Sequence, residues 1–310
     1  MFNAAEVELV GAGTITVERY RKEWMYPGFN LDQDTRIVLA PDGSPVGLAE
    51  VWTLNDPPVH PWMWTRVHPE WRGRGIGTGL LAWSLSRALQ AIGRVPPRAR
   101  FAPRVAAPIG HEPSISLFHS FGFEAKRHSW TMTIELDPPP PAPVWPSGIR
   151  LRPYRHPQDL ESVYRATIDA FRDHWGYVEV PFDQGFRMWR HDFVEARPFH
   201  PDLWFVAVEG DEIVGTALCR AKSDEDPEMG WVDSLAVRRA WRKRGLGLAL
   251  LRHAFAALRA TGARRAGLGV DAANLTGATR LYMRAGMGVL RNSTTFELTL
   301  RPGAELARLE

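Results

Sequence analysis

Three consecutive cations, Arg242, Lys243 and Arg244, stand directly before a Gly245-Leu246-Gly247 turn in the stretch WVDSLAVRRAWRKRGLGLALL, residues 231–251. Full positive charges beside backbone that glycine leaves bare suit the holding of a phosphate-bearing ligand. The flanking segments are the ones such a site needs. WVDSLAV reads as a strand feeding the loop. The Leu- and Ala-rich segment after it reads as a helix whose first N–H groups and positive dipole end point back at the loop. Taken alone, the same residues also describe a surface turn with a solvated basic face.

The 310 residues suit two domains of roughly 150 residues, each able to bury a core. With 45% apolar and 24% charged residues and a formal charge of +3, the chain has an ordinary globular balance, so no nucleic-acid partner is expected. The single cysteine, Cys219, lies in the run IVGTALC; it excludes an internal disulfide framework, reads as packed on a strand and fits a reducing compartment. The N-terminus has no secretory pattern and no apolar run is long enough to span a bilayer, so a soluble cytoplasmic protein with no membrane partner is expected. No His, Asp or Glu set has metal-ligand spacing, and no metal is expected. Monomer and homodimer both remain open.

Along the chain one order of elements occurs twice. Residues 36–40 and 46–53 flank the turn Pro41-Asp42-Gly43-Ser44-Pro45 and predict a hairpin; 62–67 predict a third strand; Arg72-Gly73-Arg74-Gly75-Ile76-Gly77 leads into a helix over 78–92. A short strand over 98–101, a helical segment over 114–121 and a strand over 130–136 follow. A proline run over 137–146 then favours stiff polyproline II and marks a boundary. Beyond it come a helical stretch at 158–171, an aromatic-rich segment to Phe199, strands at 203–208, 213–219 and 231–237, a helix to Ala260, and segments at 265–270, 278–285 and 295–300. Gly75 stands against Gly245 and Gly122 against Gly286, a repeat of a whole domain rather than of a solenoid unit. The expected division is 1–137, a linker at 138–147, and 148–310. Neither loop is a P-loop, which needs Lys-Ser/Thr after its glycines. A dinucleotide fingerprint fails at Thr78, where its third glycine belongs.

The segments Val67-His68-Pro69-Glu70-Trp71-Arg72-Gly73-Arg74-Gly75-Ile76-Gly77 and Val237-Arg238-Arg239-Ala240-Trp241-Arg242-Lys243-Arg244-Gly245-Leu246-Gly247 resemble the acetyl-CoA loop of the GCN5-related N-acetyltransferases, Arg/Gln-x-x-Gly-x-Gly/Ala after a strand. NLTGATRLYMRAG, residues 274–286, is similar to the family's Asn-x-x-Ala-x-x-Leu-Tyr-x-x-x-Gly block. Two such domains in one chain also resemble the mycothiol synthase group. The resemblance implies an α/β (α+β) fold of two tandem domains, each a mixed, mostly antiparallel sheet flanked by helices, with acetyl-CoA in the cleft where the fourth and fifth strands splay. It assigns Leu235, Ala236 and Val237 to the strand edge and Arg242, Lys243, Arg244, Gly245, Leu246 and Gly247, with Asn274, to the cofactor. In the first half it assigns Thr65, Arg66, Val67, Arg72, Gly73, Arg74, Gly75, Ile76 and Gly77. Lys243 departs from the glycine at Gly73 and adds a cation.

Acetyl transfer needs a neutral amine, a polarised thioester carbonyl and a proton for the departing thiolate. The resemblance gives Tyr282 the last task, and Asp233 is a candidate acceptor of the amine proton. Met63 and Phe118 stand opposite these two in the first half, and neither carries a proton, so that half is expected not to transfer acetyl; a copy that binds acetyl-CoA and a structural or regulatory copy both remain open. Asp173, His174 and Trp175 are expected to hold a small-molecule amine, with His174 a second candidate base; two amphipathic helices packing their aromatics explain the same segment. The expected activity is acetyl-CoA-dependent N-acetyltransfer. A regulatory acyl-CoA-binding protein that has lost catalysis, or acetylation of a cysteinyl aminosugar, are the alternatives.

Overall fold

The computed structural model describes residues 2–11, 13, 16–274 and 277–308. Its strands are β1 Thr35–Leu39, β2 Pro45–Trp52, β3 Trp62–Val67, β4 Arg104–Pro108, β5 Glu124–Glu135, β6 Ile149–Pro153, β7 Trp204–Glu209, β8 Glu212–Arg220, β9 Met229–Val237, β10 Arg265–Asp271 and β11 Gly288–Glu297. The helices are α1 Phe2–Val10, α2 Val17–Trp24, α3 Leu31–Asp34, α4 Ile76–Gln90, α5 Glu112–Ser120, α6 Leu160–Phe171, α7 Phe182–Arg190, α8 Leu246–Ala260 and α9 Ala278–Arg284.

The chain forms two compact units that are not two continuous halves. The first contains residues up to His128, Val180–His191 and Ser293–Ala307; the second contains Ser129–Glu179, Asp192–Asn292 and the chain from Arg308. Strands in the first unit run β1-β2-β3-β4 and then the end of β11, and in the second the end of β5 and then β10-β9-β8-β7-β6. Residues 129–135 of β5 pair antiparallel with β10, from Asp271↔Ser129 to Arg265↔Glu135. Residues 293–297 of β11 pair antiparallel with β4, from Ser293↔Pro108 to Glu297↔Arg104. The last strand of each sequence half therefore completes the sheet of the other unit. Each unit departs from the 1–137 and 148–310 division by this exchange and by α7, which belongs to the first unit.

Packing follows the same local rule in both units. Gly47 on β2 pairs with Val67, and Gly215 on β8 pairs with Val237. A Cβ added at Gly47 would lie 2.9 Å from Ile76 of α4, and one at Gly215 3.0 Å from Leu250 of α8, so each glycine lets a helix sit directly on the sheet. The core of the first unit joins Val51, Met63, Leu81, Phe118 and Phe123 with Phe296 from the exchanged strand. That of the second joins Val214, Ala217, Leu250, Phe255, Leu268 and Tyr282 with Met132 from β5.

Charged groups fix the exchanged C-terminal segment. Arg104 donates to Glu297 at 2.8 Å, Arg100 bridges Glu297 at 2.8 Å and Glu305 at 3.0 Å, and His60 lies 2.9 Å from Glu305. This network sits where residues 98–101 were expected to form a strand. They instead make only isolated bridges, Ala99↔Ala304 and Phe101↔Arg301, and the strand begins at Arg104, immediately beyond Pro103, which has no N–H to give a ladder. Likewise β11 ends at Glu297 rather than Leu300.

Candidate active site

In the second unit β9 pairs antiparallel with β8 from Trp231 to Val237, but its parallel ladder with β10 covers only Arg265↔Met229, Ala266↔Gly230 and Gly267↔Trp231. At the last rung the Trp231 ring lies over Gly267, where an added Cβ would come within 2.7 Å of it. Beyond that rung the strands carry no further pairing, and the β10-facing edge of Leu235, Ala236 and Val237 is left open for an extended ligand. In the first unit the parallel ladder between β3 and β4 is the single rung Trp62↔Arg104, and the edge at Thr65, Arg66 and Val67 is open in the same way.

The turn after each strand has one design. From Val237 the chain passes a short 3-10 turn, Arg239–Trp241, to Lys243 at φ 62° and Gly245 at φ 89°, which caps α8 with no side-chain acceptor. In the first unit the corresponding positions are Gly73 at φ 72° and Gly75 at φ 80°, again with no side-chain cap. Left-handed backbone at alternate positions turns successive N–H groups inward, and a Cβ added at Gly75 or Gly245 would meet no protein atom within 4 Å. Each loop is thus an open row of donors at a helix N-terminus, which fits a pyrophosphate.

The arginine that opens each loop acts differently from the expected phosphate ligand. Arg242 donates to Ala170 O at 2.7 Å, Val237 O at 3.2 Å and Asp173 at 3.1 Å, and Arg239 also pairs with Asp173. Arg72 pairs with Glu8 of α1. Both arginines tie their loop to a preceding helix or its end. Lys243 and Arg244 have no ion-pair partner among the described residues and remain exposed as the loop's available charges. Gly247 likewise serves packing: a Cβ there would lie 2.9 Å from Leu281 of α9, and one at Gly77 would lie 3.3 Å from Leu117 of α5.

Asp233 occupies an irregular position. Leu218 pairs with Ser234 and Cys219 with Val232, so Asp233 is the extra residue of a bulge in β9. Arg220 Nε donates to both of its oxygens, at 2.8 and 3.1 Å, and Arg197 reaches it at 3.2 Å; Arg220 also donates to Asp224 at 2.7 Å. Burial pushes the Asp233 carboxyl above its ordinary range, and the Arg220 charge opposes that rise without cancelling it. Neighbouring Cys219 is fully buried, its thiol held protonated by burial.

Tyr282 lies on α9 next to Leu281, the residue packed on Gly247, and is only 8% exposed. Burial pushes its phenol up to about 12, so it holds a proton at neutral pH. Asn274 lies in the turn before α9, its backbone N–H donating to Asp271 O at 3.1 Å; Leu275 and Thr276, in the same motif, fall outside the described residues.

Of the expected acceptor residues, the structure commits Asp173 to the two loop arginines. The His174 ring lies tilted against Phe171, with ring centroids 4.5 Å apart, and burial and the Arg242 charge push its imidazole below the usual range while Asp271 opposes the shift. Trp175 is half-buried beside them. Sequence reasoning did not single out Arg220, whose side chain is 8% exposed; a charged residue ending the apolar run IVGTALC was the available signal. It also passed over Glu50 on β2, a buried carboxyl raised by burial, which accepts from Trp24 Nε1 at 2.5 Å.

The model of the acetyltransferase (GNAT) family matches residues 5–123 and 160–287. A mycothiol acetyltransferase of Thermobispora bispora is 32% identical over 263 residues, covering 81% of this chain and 79% of the relative. One of Streptomyces bingchenggensis is 30% identical over 266 residues, covering 84% and 77%. A solved GCN5-related N-acetyltransferase from Sphaerobacter thermophilus matches with TM-score 0.79 and 34% identity over 98% of this chain and 92% of that one. A tandem GNAT protein from the clavulanic acid biosynthesis pathway shares the fold, with TM-score 0.67 and 14% identity over 97% and 94%.

Proposed function

Because this chain belongs to the GCN5-related N-acetyltransferase family and is an acetyl-CoA-dependent N-acetyltransferase, we propose that its second unit carries out the transfer, to the amine of a small molecule. The observation that carries this reading is the bulge that sets a buried, raised carboxyl, Asp233, on the strand whose open edge and donor-lined loop fit the cofactor. The edge of Leu235 to Val237 and the N–H groups around Lys243 to Gly247 would hold acetyl-CoA, which supplies the acetyl group as a thioester. Asp233 accepts the proton that the amine gives up as its nitrogen bonds to the acetyl carbon. Tyr282 delivers a proton to the sulfur as the carbon–sulfur bond breaks. The first unit's loop, Arg72 to Gly77, holds cofactor without transfer. His174 and Trp175 face the acceptor, and the protein works in a reducing, cytoplasmic setting.

Calorimetry with acetyl-CoA and steady-state turnover over an amine panel test this together. Tyr282→Phe is expected to lower kcat by about 10² to 10³ and to leave acetyl-CoA affinity unchanged; unaltered turnover would remove the tyrosine from the reaction. The mycothiol acetyltransferases among its relatives favour a cysteinyl aminosugar as the acceptor. Turnover on simple amines with none on that compound would set this acceptor aside.

A further inference from the structure

The first unit contains a cavity of about 540 Å³ away from its cofactor loop. The loop lies at the start of α4, whereas the cavity is walled by the end of that helix, at Arg87 and Gln90, and by Arg94 just beyond. The 15 residues of α4 put about 20 Å between the helix ends. The remaining walls are the segment after β2 at Thr53 to Asp56, the turn around α3, and α7, contributed by the second half of the sequence.

Three guanidinium groups line this space, and their charges are not all matched. Arg87 is neutralised by Asp34, 2.6 Å away, whose side chain is 4% exposed. Arg94 donates to the carbonyl of Thr53 at 2.6 Å, a partner that carries no charge. Arg187 is exposed, and its side chain has neither a hydrogen bond nor an ion pair among the described residues. The other acid on the lining is Asp56, so two unneutralised arginines face one carboxylate. Gln184 donates to Leu54 O at 3.2 Å, joining α7 to the opposite wall and leaving its amide oxygen as an acceptor. Polar walls with an excess of guanidinium, at the volume of a small metabolite, select an oxyanion with further hydrogen-bonding groups.

We propose that this cavity is a second small-molecule site, separate from both acetyl-CoA loops, for a multivalent oxyanion of the polycarboxylate or phosphate-ester class, gripped by Arg94 on one wall and Arg187 on the other. The probe is citrate, titrated by calorimetry into the full chain with coenzyme A saturating, so that the loops are already filled. One further site with a dissociation constant of about a millimolar or tighter is expected. Arg187→Glu, at an exposed position, and Arg94→Gln should each weaken citrate by about tenfold or more, with coenzyme A affinity and the unfolding midpoint of the ligand-free protein unchanged for Arg187→Glu. Lys243→Glu should leave citrate binding as it is. Inorganic phosphate in place of citrate, binding at the same site and weakened by the same two substitutions, would extend the site to phosphate esters. Absence of citrate binding in the presence of coenzyme A, or binding that Arg187→Glu and Arg94→Gln leave intact, would overturn the proposal.

Discussion

Where β9 bulges around Asp233 in the second unit, β3 in the first runs an unbroken ladder against β2, from Gly47↔Val67 to Trp52↔Trp62, with Met63 turned into the core. Where α9 carries Tyr282, α5 carries Phe118, packed among Phe123 and Phe296. Yet the strand, the donor-lined loop and the helix seated on a glycine are the same in both. One inserted residue in a ladder and one phenol oxygen are what the second unit has and the first lacks at the two positions proposed to move protons. On the proposed reading the loop is the part that binding needs, and the substitutions around it are local enough to leave the fold alone.

The largest effects should come from removing those groups. Asp233→Asn and Tyr282→Phe are each expected to lower kcat by about 10² to 10³, whereas Phe118→Tyr, its counterpart change in the first unit, should leave kcat within about twofold. Glu50 is the residue by which the comparison breaks. It is the buried, raised carboxyl of the first unit, held by Trp24. If Asp233→Asn leaves substantial turnover and Glu50→Gln removes what remains, chemistry takes place in both units.

The next test reads Asp233 through Arg220. A protonated Asp233 cannot accept the amine proton, so activity falls as pH drops through its pKa. Burial raises that pKa and Arg220 holds it down. Arg220→Gln therefore moves the acid limb of kcat/KM to higher pH, by about one unit, and Arg220→Lys, which keeps the charge, moves it less. A limb that stays in place in Arg220→Gln would mean that another group, His174 foremost, is the base.

Stability offers a third comparison, because each unit is closed by a carboxylate held well below its usual range. Burial pushes Glu305 up, but hydrogen bonds from His60 and Arg100 hold it at about 2 in the first unit; in the second, Arg152 and Arg155 hold Asp159 at about 2 against the same burial. A depressed folded-state pKa stabilises the folded form above the unfolded value, near 4.5 for Glu305 and 3.8 for Asp159, and that contribution is lost as pH falls toward 2. Glu305→Gln should cost about 2 kcal/mol at pH 7, the worth of a hydrogen bond to a charged group, and flatten the acid loss of the unfolding midpoint. The exchanged segment would then open first, with hydrogen exchange rising at β4 and β11 before β9.

These partners also mark the limit of what the sequence carried. Loops and hairpins were legible because their signals are local: a glycine where backbone must turn left-handed, alternation along β2 and β8, leucines spaced along α8. The strand exchange was not, since β5 and β11 are copies of one element and neither encodes which copy of its neighbour it will pair with. Nor was the spending of Asp173 on Arg239 and Arg242, which depends on residues far apart in sequence meeting at the end of α6. The bulge at Asp233 was hidden as well, because one extra residue leaves the apolar pattern of WVDSLAV readable as a plain strand.

The smallest effect is the one that separates the two loops themselves. Lys243 sits at φ 62°, the left-handed backbone that its counterpart Gly73 adopts at φ 72° without a side chain to strain. Lys243→Gly removes that strain, about 1 kcal/mol, and also removes a cation from an exposed loop, where a single charge alters phosphate affinity by about two- to fivefold. The variant should therefore melt slightly higher and bind acetyl-CoA slightly more weakly, and Gly73→Lys in the first unit should do the reverse. Opposite signs in stability and affinity would show that the second loop keeps a strained backbone for the sake of a charge. If Lys243→Gly binds acetyl-CoA as tightly as before, the N–H groups alone hold the phosphates, and the two loops are equivalent in binding despite their different sequences.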